Sequence, residues 1–358
     1  MTDTRVVRSR SRSSPVRRPV TTVGDDALGV ATRMSDMDMA TKLLIRATDA
    51  VLVGHVHPDA DALGSALALG MGLERLGVPV AVSFAEPGEI PESLRSLPGG
   101  HLVVPADRVP ECPDLLVSLD VGSAARLGSL DRLLTTARQS LIIDHHPSNT
   151  RFGDHHLIDP SAEATVVLVA RLLDRLGVPI DLAIAENLYA GLATDTGHFR
   201  HADSDAHRLA ARLIDTGVRP ADLLRPITDS HPFGWLAMLS QVLGRAVLHP
   251  RAAGGRGVVS TIIDLSTSAG LRSEELDSVI DILRTAQEAA VAVVLKQTGP
   301  DTWQVSLRSH PPVDVAALAT ELGGGGHVRA AGFTHHGEPD DAIRAILATL
   351  DRAGPPLA

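Results

Sequence analysis

Short, mostly apolar runs alternating with amphipathic stretches of helical period limit most strongly what this chain can fold into. Residues 51–55, 80–84, 115–119 and 141–143 are runs of this kind. Uniformly apolar strands belong to parallel sheets covered by helices on both faces. Helices are read over 61–76 and 163–176, closed by Gly77 and Pro79 in one case and by Gly177 and Pro179 in the other. Glycine suits the left-handed position after a helix, and proline cannot continue one. The alternation predicts an α/β fold with a doubly wound, mostly parallel sheet.

The rhythm changes between 226 and 250, where Asp229-Ser-His-Pro-Phe-Gly gathers turn formers and a Gly/Arg-rich stretch follows at 252–257. A second, smaller α/β unit is expected beyond it, with strands at 258–263, 292–296 and 304–307 and helices at 273–286 and 313–322. The expected division is a tail over 1–35, a first domain over 36–228, a linker over 229–254 and a second domain over 255–358. At about 150 residues per domain, 358 residues suffice for two cores. The tail sets Arg5, Arg8, Arg10, Arg12, Arg17 and Arg18 among Ser, Pro and Thr with no apolar period, which predicts disorder.

With 43 acidic against 33 basic side chains, a net charge of −10, the chain lacks the basic footprint of a protein that grips long duplex nucleic acid. Bound metal ions can reverse that field locally. No apolar run approaches the ~18 residues that cross a bilayer, so no membrane partner is expected. No apolar stretch follows the N-terminal arginines as a secretory signal requires. The single cysteine, Cys112, rules out an internal disulfide or a cysteine-built zinc site and fits a cytoplasmic protein. Histidine is the telling residue: of 16, several stand beside aspartates.

The first such cluster is His55-Val-His57-Pro58-Asp59-Ala60-Asp61, leaving the end of a strand. In open α/β sheets ligands bind outside the carboxyl ends of the strands. One imidazole and two carboxylates there suit a divalent ion of the harder kind. Asp59 or Asp61 would serve equally well as a helix cap. Asp120 follows the run 115–119, Asp144-His145-His146 follows 141–143, and Asp195 ends an apolar helical stretch. An isolated Asp after a strand is often only a turn residue. Four such groups, three at strand ends, converge on one sheet edge, and their like charges would repel unless cations lay between them. Asp154-His155-His156 repeats the triplet but precedes its apolar pair, which places it at the opposite edge or in a surface turn.

In order and spacing, His55-x-x-x-Asp59-x-Asp61, Asp120, Asp144-His145-His146 and Asp195 resemble the signature of the DHH phosphoesterase superfamily. Ser306-Leu-Arg308-Ser309 and Gly323-Gly-Gly-Gly326-His327, followed by Ala330-Ala-Gly332-Phe333, resemble the motif of the DHH-associated C-terminal domain. The resemblance spans nearly all of 40–350. It implies a catalytic domain over 36–228, a substrate-binding domain over 255–358 and an active site in the cleft between them. The lysine-poor second half departs from family II pyrophosphatases. The length leaves no room for the added domain of full RecJ nucleases. What remains is the compact oligoribonuclease and phosphoadenosine-phosphate phosphatase branch, whose actinobacterial members are associated with cyclic di-AMP breakdown.

Carried over to this sequence, the resemblance implies one metal on His55, Asp59 and Asp120 and a second on Asp61, Asp120, His145 and Asp195. The two divalent cations expected are Mn²⁺, with Mg²⁺ or Co²⁺ as alternatives. Asp144 would orient a ligand imidazole through its other nitrogen, and His146 would donate to the scissile phosphate. Arg126, Arg308, Ser309 and His327 are the expected phosphate contacts. Gly324, Gly325 and Gly326 read as an anion-binding loop of successive N–H groups. His57 is open between packing and phosphate contact. Substrates would be short RNA, linear pApA and cyclic di-AMP, or alternatively 3′-phosphoadenosine 5′-phosphate. A non-catalytic nucleotide sensor is the reading from another class. A homodimer is implied by resemblance alone.

Overall fold

A computed structural model describes residues 36–352, and the expectation for 1–35 falls outside them. After helix α1 (residues 36–46), five strands build the first sheet: β1 (Ala50–Val53), β2 (Val80–Ser83), β3 (Leu115–Leu119), β4 (Gln139–Asp144) and β5 (His155–Ile158). They run parallel in the order β2-β1-β3-β4-β5. The order reverses between β1 and β3, so a crevice opens at the carboxyl ends of those two strands. His55–Asp61 and Asp120 leave the sheet at that crevice.

Both faces of the sheet are covered, which is why its strands read as unbroken apolar runs. On β1, Ala50 and Leu52 face a core shared with α2 (Ala60–Arg75), α4 (Thr165–Arg175) and α5 (Leu182–Asp195). Val51 and Val53 face the other way, onto Leu127, Leu130 and Leu133, the last opening the short helix α3 (Leu133–Thr136). Helices α2 and α5 cross closely at Gly64, where a Cβ would fall 2.6 Å from Asn187 O. Helices α6 (Ser204–Asp215) and α7 (Pro220–Thr228) complete this unit.

The second sheet has six strands in the order β10-β11-β9-β8-β7-β6. These are β6 (Val247–His249), β7 (Val258–Ile263), β8 (Val291–Gly299), β9 (Thr302–Ser309), β10 (Gly325–His327) and β11 (Ala330–His336). Only β7 and β8 pair in parallel. Helix α8 (Phe233–Gly244), the turn α9 (Ala252–Gly255), α10 (Ser273–Asp277), α11 (Val279–Leu283), α12 (Val315–Glu321) and α13 (Pro339–Arg352) pack around it.

Two expectations change here. Residues 229–254 are not bare linker: Met238 and Val242 of α8 pack on Val259, Ile280 and Val294, and β6 is the edge strand of the second sheet. The strand was hidden in sequence because it is only three residues long. The helix expected over 273–286 is two helices, interrupted at Ser278, whose hydroxyl donates to Glu275 O and receives Trp235 Nε1. No helix among the described residues is long and apolar enough to cross a membrane.

The two sheet units touch directly. Arg272 Nη1 lies 2.8 Å from Glu92 Oε2, and Ser93 N donates to Glu274 Oε2. On the side of the crevice, Ser148 Oγ donates to Gly326 O, and the His327 ring stacks on His146 with centroids 4.3 Å apart.

Candidate active site

Asp59 caps a helix and also faces the cluster. Its Oδ1 caps α2 by accepting from Asp61 N and Ala62 N, while Oδ2 lies 3.6 Å from His55 Nε2. Its side chain is half exposed at the crevice, whereas Asp61, two residues on, is wholly buried. Asp61 caps a different helix. Its carboxylate accepts Thr165 N at 2.7 Å and Val166 N at 2.9 Å, the first N–H groups of α4, which has no side-chain cap of its own.

Asp120 is the centre of the arrangement. Its φ of +61° is rare for a residue with a Cβ and is held by the bond from its N–H to Ile143 O. Its Oδ2 lies 3.6 Å from His55 Nε2, and its Oδ1 lies 3.5 Å from His145 Nε2. Thr165 Oγ1 donates to the same Oδ1 at 2.9 Å. His145 Nε2 is also 3.1 Å from Asp195 Oδ2, at the end of α5, and 3.9 Å from Asp61 Oδ2.

The imidazoles are turned so that Nε2 is the free nitrogen. His55 Nδ1 lies 2.8 Å from Val56 O and His145 Nδ1 lies 3.1 Å from Ala162 O. A carbonyl oxygen only accepts, so each Nδ1 carries the proton and each neutral ring offers its Nε2 lone pair. Arg126 Nη2 also stands 3.0 Å from His55 Nδ1, but two donors cannot bond to each other, and the carbonyl is the better partner.

Crowding leaves its mark on titration. Burial pushes Asp61 well above the ordinary carboxyl value, and the charges of Asp120 and Asp195 add to it. Burial likewise lifts Asp195 to about 6 against the pull of His145. Burial depresses His145, yet the Asp195 carboxylate beside its Nε2 and the charges of Asp120 and Asp61 prevail and raise it to about 11, so without a cation the ring is protonated. The cluster gathers protons where a dication would equally relieve the repulsion. His145 Nε2 is buried with no hydrogen-bond partner of its own among three carboxylates. Once the ring gives up its second proton, the Nε2 lone pair stands among carboxylate oxygens, which is what a metal ion takes up, and the donor set suits a divalent one. His55, Asp59 and Asp120 form one compact ligand group, and Asp61, Asp120 and His145 another.

Asp144 does something other than expected. It accepts His146 Nδ1 at 2.7 Å and the backbone N–H of His145 at 2.9 Å, but no ring nitrogen of His145, whose Nδ1 Ala162 O already holds. Its other oxygen takes Asn149 Nδ2 at 2.6 Å. Asn149 and Thr165 were not singled out from sequence. The signals lay in their places, one shortly after Asp144-His145-His146 and one at the first turn of a helix.

From the second unit, His327 reaches both His145 and His146. Burial and the two neighbouring imidazoles lower its pKa to about 3, which leaves it neutral. Burial also lowers Arg308, on β9. Ser309 Oγ donates to Val313 O and closes a turn. The glycine run is built into the edge of the second sheet. Gly325 and Gly326 pair with Gly332 and Ala331 of β11. A Cβ at Gly324 would fall 2.1 Å from Gly332 O, and one at Gly326 2.6 Å from Ala330 O. Glycine is required there so that the strands can approach and aim His327 inward. His57 is exposed, with φ +53° and Nε2 3.9 Å from Glu86 Oε2. Asp154 lies at the opposite edge, as expected, accepting from Ser140 N and Oγ at the start of β4, but His155 and His156 begin a strand instead of a turn.

Residues 49–192 match the N-terminal domain of the DHH family and residues 249–353 match the DHHA1 domain. A bifunctional oligoribonuclease and PAP phosphatase, NrnA, of Thermus thermophilus is 35% identical over 84% of this chain and 90% of its own length. The chain belongs to the DHH phosphoesterase family. The NrnA of Bacillus subtilis is 26% identical over 84% of this chain and 94% of its own. A cyclic-di-AMP phosphodiesterase, GdpP, of Geobacillus thermodenitrificans is 25% identical over 89% of this chain and half of the relative. Among solved structures, an exopolyphosphatase-related protein of Bacteroides fragilis shares the fold with a TM-score of 0.78 at 24% identity, over 89% of this chain and 96% of the other.

Proposed function

We propose that this family member hydrolyses phosphodiester bonds in dinucleotides and short oligoribonucleotides, linear pApA and cyclic di-AMP among them, to nucleoside monophosphates. The observation that carries the reading is the division of Asp120 between two ligand groups, Oδ1 towards His145 and Oδ2 towards His55. On this reading His55, Asp59 and Asp120 hold one divalent cation and Asp61, Asp120, His145 and Asp195 a second, with Mn²⁺ preferred to Mg²⁺ or Co²⁺. Such ions lower the pKa of water and neutralise charge gathering on phosphoryl oxygens.

The chain's own residues position and protonate. Asp144 accepts Nδ1–H of His146, which leaves Nε2–H of the imidazolium to donate to the scissile phosphate. The same carboxylate, with Asp120, outweighs burial and raises the pKa of His146, favouring that donor form. Arg126 forks onto a phosphate at the rim. Arg308 and His327 meet the terminal phosphate or base from the second domain.

His327 packed on His146 supports short substrates, because it brings the second domain against the cluster. With 2 Trp, 1 Tyr and 5 Phe, the chain also lacks the aromatic platform on which a long single strand would stack. Phosphate release from 3′-phosphoadenosine 5′-phosphate is the second reading, favoured by two relatives whose names carry both activities. A panel of pApA, cyclic di-AMP, short RNA and phosphoadenosine phosphate with Mn²⁺, Mg²⁺ or Co²⁺, read by chromatography, tests both. AMP from pApA is expected, and no turnover of any dinucleotide would refute the main reading. We also place the protein in the cytoplasm as a homodimer. The exposed Phe233 and Leu236 of α8 offer an apolar face, and sedimentation of the full chain tests the pairing.

A further inference from the structure

The first turn of α4 binds both buried carboxylates of the cluster at once. Its backbone N–H groups hold Asp61, and the Thr165 hydroxyl, itself fully buried, donates to Asp120 Oδ1. Asp120 needs such a hold. Its left-handed backbone sits in a region that residues with a Cβ occupy only when their surroundings enforce it. The bond from Asp120 N to Ile143 O fixes the main chain but not the torsion of the carboxylate. Among the described residues, it is the Thr165 hydroxyl that donates a hydrogen bond to that carboxylate. A donor placed there favours the torsion in which one oxygen turns to His145 and the other to His55.

We infer that Thr165 is a positioning residue that sets the Asp120 carboxylate so that it serves two ions at once. The inference rests on the two-cation reading. Partners of this kind, one bond removed from a metal, change affinity by roughly 10–100-fold when lost. Thr165→Val keeps the shape and removes the donor. Thr165→Ala also removes it, without pressing a methyl group onto the carboxylate, and Thr165→Ser retains it.

The test is calorimetric titration of the full chain with Mn²⁺, with electron paramagnetic resonance of the loaded protein and melting without metal as companions. Wild type is expected to take up two ions and to show an exchange-coupled pair. Thr165→Val and Thr165→Ala are expected to raise the dissociation constant of the weaker ion 10- to 100-fold and to show an isolated-ion signal. Thr165→Ser is expected to bind within about threefold of wild type. Metal-free melting of Thr165→Ala and Thr165→Ser should differ little, which separates positioning from folding. Two ions bound by Thr165→Ala as tightly as by wild type would overturn the inference and leave the two-cation reading standing. Failure of wild type to take up a second ion would overturn that reading, and the inference with it.

Discussion

Gly191 lies on α5 one turn before Asp195, against the most deeply buried carboxylate of the cluster. A methyl group there would fall 2.7 Å from Val166 Cγ1 and 2.9 Å from both Cα and Oδ1 of Asp61. Carbon contacts rest near 3.5–4 Å, so Gly191→Ala must open roughly 0.5–1 Å of space. The Val166 tip can rotate away. Asp61 Cα, inside α2, can yield only if the helices part. Overpacking of this size costs about 1–3 kcal/mol, and the helix preference of alanine over glycine returns about 1 kcal/mol. The net loss, up to about 2 kcal/mol, lowers Tm by at most about 8 °C. The effect on chemistry is larger. Productive sites tolerate about 0.5 Å, and a displacement of about 1 Å costs about 100-fold. We expect kcat/KM for AMP release from pApA to fall 10- to 100-fold. Gly64→Ala, whose Cβ would meet Asn187 O at the same helix crossing, is the control. It should lose comparable stability and less activity. Activity of Gly191→Ala within twofold of wild type, or an equal loss in Gly64→Ala, would refute the reasoning.

Asn149→Ala removes the donor to Asp144 Oδ2 and frees the carboxylate that orients His146, so kcat should fall about 10-fold with Mn²⁺ affinity unchanged by calorimetry. Chelation with EDTA should abolish turnover and lower Tm, since ions held at 100 times their Kd stabilise a fold by about 2.7 kcal/mol; an unchanged scan would count against tight metal binding. Burial raises the Glu275 carboxyl, but the Arg272 guanidinium outweighs it and carries it below the ordinary value. A lowered folded pKa gives stability that is present above the unfolded value and lost as pH falls through the folded one. The stability gap between wild type and Glu275→Gln should thus be full at pH 7, about 1.5 kcal/mol, and close below about pH 4.5 in denaturant titrations.

Much of the cluster was legible because its side chains follow apolar runs, and a parallel sheet brings every strand end to one edge. That logic reached His55, Asp61, Asp120 and His145, which lie within 3.9 Å of one another or of a shared partner. It could not reach Thr165, which holds a carboxylate 45 residues away at Asp120, nor Asn149, whose bond to Asp144 depends on how the intervening turn folds back. Nor could it tell which imidazole Asp144 serves, since that depends on where Ala162 O lies. The glycine run hid its strand contact for a related reason. Glycine suits both an anion loop and a close strand contact, and only the position of Gly332 opposite reveals the second. In the second unit β7 was plain from its β-branched run, while β6 and β10, three residues each, fall below any period that hydropathy can register.

The most direct measurement is anomalous diffraction at the manganese edge from crystals of the full chain grown with Mn²⁺. Two peaks flanking Asp120, one beside His55 and Asp59 and one among Asp61, His145 and Asp195, are the predicted result. A single peak that Asp120 does not share, or peaks elsewhere with this cluster empty, would contradict the account.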